Sequence, residues 1–331
     1  MKHVAIPVEG HKTPAFYLAA EEYVARKFGT EPELWFTWRV EPCIVMGRNQ
    51  VMENEINVSF CRDRKIGIYR RKSGGGCVYA DLGNIMMSYI AEGAAVGYTF
   101  SKYIGLVVFV LRKLGIRAEA SGRNDILVDG RKVSGSAFLH LPDRNIAHGT
   151  LLYDTCMDNM LGALTPTNAK LEAKGVKSVR SRIGLLKDYI TLSIEELEQH
   201  LIGGLCRGEE IRLDADDVHE IERMAQDYLK PQFLYGNKKA ANRTCHRRIE
   251  GVGDIWLDLV IAKGRVEDAW LSGDFFCVGK PAETLVAPLR GINYSEEGVR
   301  EAFRDFSTES VIMNLGKEDW IDLVLDKERS L

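Results

Sequence analysis

The sequence predicts an α+β protein: a large domain built on a mixed β-sheet, followed by a small C-terminal α+β domain. Three observations predict it. Short runs of β-branched and aromatic residues, broken by Gly, Asn and Pro, crowd residues 34–90 and 125–154. Between them, one strong apolar period of helical spacing runs from about Tyr98 to Leu114. Near residues 236–248 the chain turns polar and basic, as linkers often do, and a second set of strands and helices follows. A chain of 331 residues has room for two such domains, read here as 1–240 and 249–331.

The elements follow in order. A short strand at His3–Ile6 opens the chain, and Pro14 suits the first turn of a helix over Ala15–Phe28. Strands come next at 34–40 (LWFTWRV), 43–47 (CIVMG), 66–70 (IGIYR), 77–80 (CVYA) and 84–90 (NIMMSYI). The central helix carries Phe100, Tyr103, Val107 and Val110 along one stripe and stops at Gly115, a good residue just past a helix end. DILV (125–128) and KVSGSAFLHL (132–141) flank Asp129-Gly130, a strong hairpin signal. PDRN then turns the chain into a strand at HGTLLYD (148–154), and two polar helices follow at about 193–206 and 214–229. In the C-terminal part, alternation around Lys263-Gly264 reads as a second hairpin. AETLVAPL, EEGVREAFRDF and KEDWIDLVLDKE read as closing helices.

Composition narrows the class. With 45% hydrophobic and 27% charged residues, the chain can bury a core without metals or disulfides. A net charge of −3 points away from nucleic-acid or membrane-surface partners. The seven cysteines are scattered, with no C-x-x-C pair, which fits free thiols in a reducing, cytoplasmic setting. The opening MKHVAIPVEGHK does not read as a secretory leader, and the longest apolar stretch, around Ile104–Leu111, is too short to span a membrane.

Two stretches carry chemistry. In YRRKSGGGCVYADLGN (69–84), three glycines follow two arginines between strands. Glycine lets backbone N–H groups approach a ligand closely, and such amides form anion-binding concavities. Arg70 and Arg71 add fixed charge suited to carboxylate or phosphate. No G-x-x-x-x-G-K-[ST] pattern occurs, so this is not a Walker A loop. In SGRNDILVDGRKVSGSAFLH (121–140), Lys132 precedes the small residues Ser134, Gly135, Ser136 and Ala137, with Asn124 and Asp125 on the paired strand. Small residues in a strand admit a ligand, the lysine offers it an ammonium, and an aspartate can ligate Mg²⁺. A third stretch, HGTLLYD, opens with His148, which has no triad partner nearby in sequence and receives no acid–base role.

GRNDILVDGRKVSGSAF followed by HGTLL, with RRKSGGGCVYADLGN before and GRNQ (47–50) earlier, resembles the lipoate–protein ligase A family of the biotin/lipoate ligase fold. The similarity extends through KLEAKGVKSVRSRIG (170–184) and, with SGDFF (272–276), to the family's accessory domain. It implies an ATP-dependent ligase that converts lipoate to lipoyl-AMP and passes the lipoyl group to a lysine of a lipoyl domain or glycine-cleavage H protein. It implies ATP and Mg²⁺ as cofactors. Lys132 becomes the key residue, contacting the lipoate carboxylate and the α-phosphate, with Asp125 beside the metal. Arg70, Arg71, Ser73, Gly74, Gly75, Gly76, Cys77, Val78, Tyr79 and Asn84 line the adenylate and lipoate site. Ser136, Ala137, His148, Gly149 and Thr150 shape its wall, and Lys174–Arg182 closes over the adenylate.

The chain departs from the family pattern at Cys77, Ala80 and Ala147. Trp38, Val45 and Met46 are expected along the acyl tunnel, and the Lys170–Lys187 cluster faces an acidic acceptor. A biotin ligase is disfavoured, since RRKSGGG stands where its GRGR-type adenylate loop would be, and two other readings compete. One is a transferase of the same fold using Cys77 or Cys156 as nucleophile without ATP. The other is a catalytically dead binding protein, against which the presence of Lys132 argues.

Overall fold

The computed structural model describes residues 1–93, 95–122, 124–165, 182–236 and 240–327. Of the basic cluster Lys170–Lys187, residues 170–181 lie outside them, and with them all but Arg182 of the Lys174–Arg182 loop expected to close over the adenylate. The chain divides into two compact units. The first comprises Met1–Met46, Met52–Lys72 and Cys77–Leu234; the second comprises Gly47–Val51, Ser73–Gly76 and Tyr235–Leu331. Among the described residues no helix is long and apolar enough to cross a membrane.

The first unit runs β1 (Lys2–Ala5), α1 (Pro14–Lys27), β2 (Glu33–Trp38), β3 (Cys43–Met46), α2 (Met52–Glu55), α3 (Val58–Asp63), β4 (Gly67–Arg70), β5 (Val78–Ala80) and β6 (Asn84–Glu92). It continues with α4 (Val96–Lys113), β7 (Ala118–Ser121), β8 (Asp125–Val128), β9 (Arg131–His140), β10 (Arg144–Leu152), α5 (Met157–Ala163), α6 (Ile194–Leu205), β11 (Glu210–Arg212), α7 (Ala215–Leu229) and α8 (Pro231–Tyr235). Eight strands form one mixed sheet in the order β11-β1-β2-β6-β10-β9-β8-β7, and β4-β3-β5 form a small second one.

Alternation along β6 and β10 sorts side chains to two faces. Ser88, His148 and Thr150 face α1, whose Glu21 receives hydrogen bonds from Ser88 and meets His148. Tyr89 faces α4, where it stacks with Tyr103 at 6.3 Å. The core under α1 gathers Phe16, Leu34, Phe36, Trp38, Val45 and Ile146. Between β8 and β9 the Asp129-Gly130 turn has both residues at positive φ, 48° and 75°, the mirror-image turn that tight hairpins prefer.

In the second unit, β12 (Arg243–Ile249), β13 (Gly253–Ala262) and β14 (Arg265–Gly273) form an antiparallel sheet. The helices α9 (Glu296–Ala302) and α10 (Lys317–Leu325) share its core, built on Leu257, Phe303 and Trp320. The Lys263-Gly264 turn stands as expected, with φ values of 49° and 73°. AETLVAPL departs from a plain α-helix: Ala282–Val286 is a π-turn running into a 3₁₀ turn at Ala287–Leu289. Part of the stretch read as linker, from Arg243 onward, is strand β12.

Candidate active site

A β-bulge sets the geometry. Along β8 and β9, Asp125 pairs with Gly135 and Ile126 with Ser134, but Leu127 pairs with Lys132, so Val133 is the extra residue. An extra residue flips the alternation of everything beyond it. Lys132 therefore shares a face with Gly135 rather than with Ser134. A Cβ placed on Gly135 would lie 2.6 Å from the Lys132 Nζ, so glycine is what lets the ammonium rest over the strand. Lys132 Nζ forms an ion pair with Asp125 Oδ1 at 2.7 Å, and Arg182 holds Oδ2 of the same carboxylate.

Arg182 arrives on a segment laid alongside β9. Ile183 bridges to Lys132, and the Gly184 N–H donates to the Lys132 carbonyl at 2.9 Å. Two cations thus converge on one partly buried carboxylate. The repulsion between them is offset by Asp125, and a substrate carboxylate or phosphate presents the same pair of acceptor oxygens.

Further along the same face, across β10, Thr150 pairs with Gly135 and His148 with Ala137. Thr150 donates to Met86 Sδ at 3.2 Å, and His148 Nδ1 lies 2.8 Å from Glu21 Oε2. Glu21 also accepts from Ser88 Oγ, which accepts from the Trp38 indole N–H at 2.9 Å. Trp38, Ser88, Glu21 and His148 are joined in one chain, as the burial of polar groups requires. Arg71 is buried close by: Nη1 donates to the Val45 carbonyl at 2.8 Å. Burial pulls its guanidinium down to about 10, opposed by the attraction of Cys77 and Glu21, so it stays charged at neutral pH. Arg70 donates from Nε to the Leu234 carbonyl at 2.9 Å.

The glycine run is described within the second unit. The Gly75 N–H donates to the Phe275 carbonyl at 3.1 Å, and Gly75 has φ +85°. A Cβ on Gly47 would sit 1.9 Å from the Gly75 carbonyl oxygen, and one on Gly74 would sit 2.3 Å from that of Phe275. Gly47 and Gly74 are thus demanded by backbone-to-backbone packing and Gly75 by its left-handed backbone, whereas a Cβ on Gly76 would have open space. The Arg48 N–H donates to the Ser73 carbonyl at 2.9 Å.

The remaining expected residues divide. Ala137, His148 and Thr150 share the Lys132 face. Ser136 and Gly149 turn to the other side, where a Cβ on Gly149 would meet the Tyr103 hydroxyl at 2.5 Å and Ser136 Oγ at 2.9 Å. On β5, Val78 packs toward the α1 core while Tyr79 packs with Ile44 and Met46 in a separate cluster. Asn84 Nδ2 donates to the Tyr79 carbonyl at 3.3 Å. Trp38 and Val45 belong to the α1 core and Met46 to the other cluster. Sequence reasoning overlooked Glu21 and Glu22. The available signal was two adjacent carboxylates inside AFYLAAEEYVA, a helix otherwise apolar on every side.

Two family matches account for most of the chain. Residues 13–206 match the family described as "Lipoyl protein ligase A/B catalytic domain", and residues 239–324 match "Bacterial lipoate protein ligase C-terminus". Lipoate-protein ligase LplJ of Bacillus subtilis is 33% identical over 323 residues, covering 94% of this chain and 96% of its own. Lipoate–protein ligase 1 of Staphylococcus aureus is 31% identical, with 94% and 96% covered. Among solved structures, Plasmodium falciparum LipL1 in complex with lipoate superposes with a TM-score of 0.77 at 19% identity, covering 98% of both chains. A lipoate-protein ligase A bound with ATP gives 0.63 at 23% identity, covering 71% of this chain and 99% of that one. At these identities the structural likeness is one of fold.

Proposed function

This chain belongs to the lipoyl protein ligase A/B family, and from that membership we propose how its residues carry out the ligase reaction. The protein is an ATP-dependent lipoate–protein ligase. In the first step a lipoate carboxylate oxygen attacks the α-phosphorus of ATP, the bond to the β-phosphate oxygen breaks, and lipoyl-AMP and pyrophosphate result. In the second, an acceptor lysine amine attacks the lipoyl carbonyl carbon, its proton is lost, and AMP leaves.

The observation that supports the residue assignment is the convergence of Lys132 and Arg182 on Asp125. A carboxylate is already ionised near neutral pH, so the first step needs charge neutralisation more than a base. Lys132 holds the lipoate carboxylate and the α-phosphate together, and Arg182 supplies the second positive charge. Arg71 and Cys77 belong to the nucleotide and acyl site, and Ala137, His148 and Thr150 line it beyond Gly135; the backbone amides of Ser73, Gly74, Gly75 and Gly76 are assigned to anion binding by their glycine-rich sequence.

Among the described residues no group of three or more His, Cys, Asp or Glu side chains is arranged to hold a metal. Mg²⁺ commonly binds through one carboxylate plus substrate phosphates, so the donor set fits an ion delivered with ATP. Asp125 would be its protein ligand, and the ion would supply neutralisation of phosphate charge. The acceptor is a lipoyl domain or glycine-cleavage H protein.

Lipoate-dependent exchange of labelled pyrophosphate into ATP tests the first step, and the mass of an added lipoyl domain tests the second. The reading expects both activities in wild type. Acyl transfer from a carrier protein, independent of ATP and abolished by Cys77→Ala or Cys156→Ala, would replace the ligase with a transferase.

A further inference from the structure

Resting on the ligase reading above, we propose that Asp125 is an internal competitor for the substrate carboxylate. It holds Lys132 and Arg182 until it turns to the ion delivered with ATP, so lipoate binds more tightly after the nucleotide than before it. All three residues lie in the first unit. Asp125 meets Lys132 Nζ through Oδ1 at 2.7 Å and Arg182 through Oδ2. Their side chains are largely shielded, with exposures of 21% for Lys132, 13% for Asp125 and 21% for Arg182. Shielded charges are screened far less than exposed ones, so the partner each cation faces governs what else it can hold.

The backbone fixes where the two cations start. Asp125 pairs with Gly135 across the strands, and a Cβ on Gly135 would lie 2.6 Å from Lys132 Nζ and 3.9 Å from Asp125 Oδ1. The ion pair thus rests over a residue with no side chain to displace it. Arg182 is anchored through Gly184, whose N–H donates to the Lys132 carbonyl, and through Ile183, which bridges to Lys132. With both main chains tied, an exchange of partners needs only side-chain rotation. A lipoate carboxylate offers the same charge and the same two oxygens as Asp125, so the two compete for the same cations. Asp125 is tethered, and a rival of this kind lowers the apparent affinity of a free ligand by the fraction of time it holds the site. It is also the carboxylate that the ligase reading gives to the ion. Once its oxygens turn that way, Lys132 and Arg182 take the substrate carboxylate instead. Binding of nucleotide and of lipoate is thereby coupled, and the coupling is reciprocal.

The experiment measures binding of lipoate and of lipoamide by calorimetry in wild type and Asp125→Asn. Each is measured alone and with Mg²⁺ and an ATP analogue whose α,β-bridge is a methylene, which cannot release pyrophosphate. Without nucleotide, Asp125→Asn is expected to bind lipoate about tenfold tighter than wild type. Lipoamide, which has the same tail and no carboxylate, should bind both alike. In wild type the Mg²⁺ analogue tightens lipoate about tenfold and leaves lipoamide unchanged; in EDTA, or in Asp125→Asn, that gain falls below about threefold. Lipoate binding that is unchanged or weaker in folded Asp125→Asn would overturn the competition, and so would a gain shared equally by lipoamide. If the variant does not fold, the wild-type comparison decides: no carboxylate-specific gain from the Mg²⁺ analogue overturns the proposal. Failure of wild type to catalyse lipoate-dependent pyrophosphate exchange would instead remove the ligase reading, and this inference with it.

Discussion

Two glycines one strand apart, Gly135 on β9 and Gly149 on β10, face opposite sides of the same sheet and are needed for different reasons. A side chain at Gly135 would collide with Lys132 Nζ, the far end of a flexible side chain proposed to act in the reaction. A side chain at Gly149 would collide with the Tyr103 hydroxyl at 2.5 Å and, at 3.0 Å, with the Gly135 carbonyl oxygen, both held by packing. One face carries charge and polar links: Lys132, Asp125, Arg182, His148 and Glu21. The other carries aromatic packing from α4: Tyr103 against Trp35 at 5.9 Å and against Tyr89. Identical residue types on paired strands thus leave room for an ammonium on one side and for an aromatic hydroxyl on the other, and only the direction of the missing Cβ tells them apart.

The comparison can be broken by experiment. The largest effect belongs to the charged face: Lys132→Ala should lower pyrophosphate exchange about 10²–10³-fold, the scale of losing one transition-state donor, with an unchanged melting curve. A loss confined to stability would erase the contrast. Gly135→Ala comes next. Its methyl displaces the Lys132 ammonium, and a misplacement of that size costs up to about 10²-fold in rate. The protein should still fold, because a flexible tip can move; near-normal activity would mean that the resting position of Lys132 is irrelevant.

Gly149→Ala reverses the pattern, destabilising by about 1–3 kcal/mol through overpacking while activity per folded molecule is retained. Chemical denaturation read beside active-site titration separates the two quantities. The smallest change sharpens the second face. Tyr103→Phe removes a buried hydroxyl that has no hydrogen-bond partner among the described residues and should shift stability by under about 1 kcal/mol. A larger loss in unfolding measurements would show that the hydroxyl matters as well as the ring.

Much of this was legible before any coordinates. Strands β2, β3, β4, β5, β6, β8 and β9 and helices α1, α4, α6 and α7 follow their periodicity, because each has a face or run that must be buried. The elements that escaped have weak patterns. Strand β7 reads Ala-Glu-Ala-Ser at the sheet edge, and β11 is only Glu-Ile-Arg. Strand β12 hid inside an apparent linker because Thr244, His246 and Arg248 alternate with few apolar residues. Strand β10 starts at Arg144, inside what reads as a turn.

In the site, Lys132 and Asp125 stood out through the small residues and the hairpin around them. The facing of Ser136 against Ala137 did not, since a bulge at Val133 leaves no mark in composition and reverses the parity of the strand. Nor could spacing show that Glu21 and Glu22, more than a hundred and about fifty residues from His148 and Lys72, would be their partners. Such links exist only after the sheet has formed.

The most direct test of the central claim is lipoate-dependent ATP–pyrophosphate exchange in wild type, Lys132→Ala and Gly149→Ala, each normalised to the folded fraction. The account predicts exchange in wild type, its collapse in Lys132→Ala, and a per-molecule rate close to wild type in Gly149→Ala. Exchange that survives in Lys132→Ala, or collapses equally in folded Gly149→Ala, would contradict the assignment of chemistry to one face of the sheet.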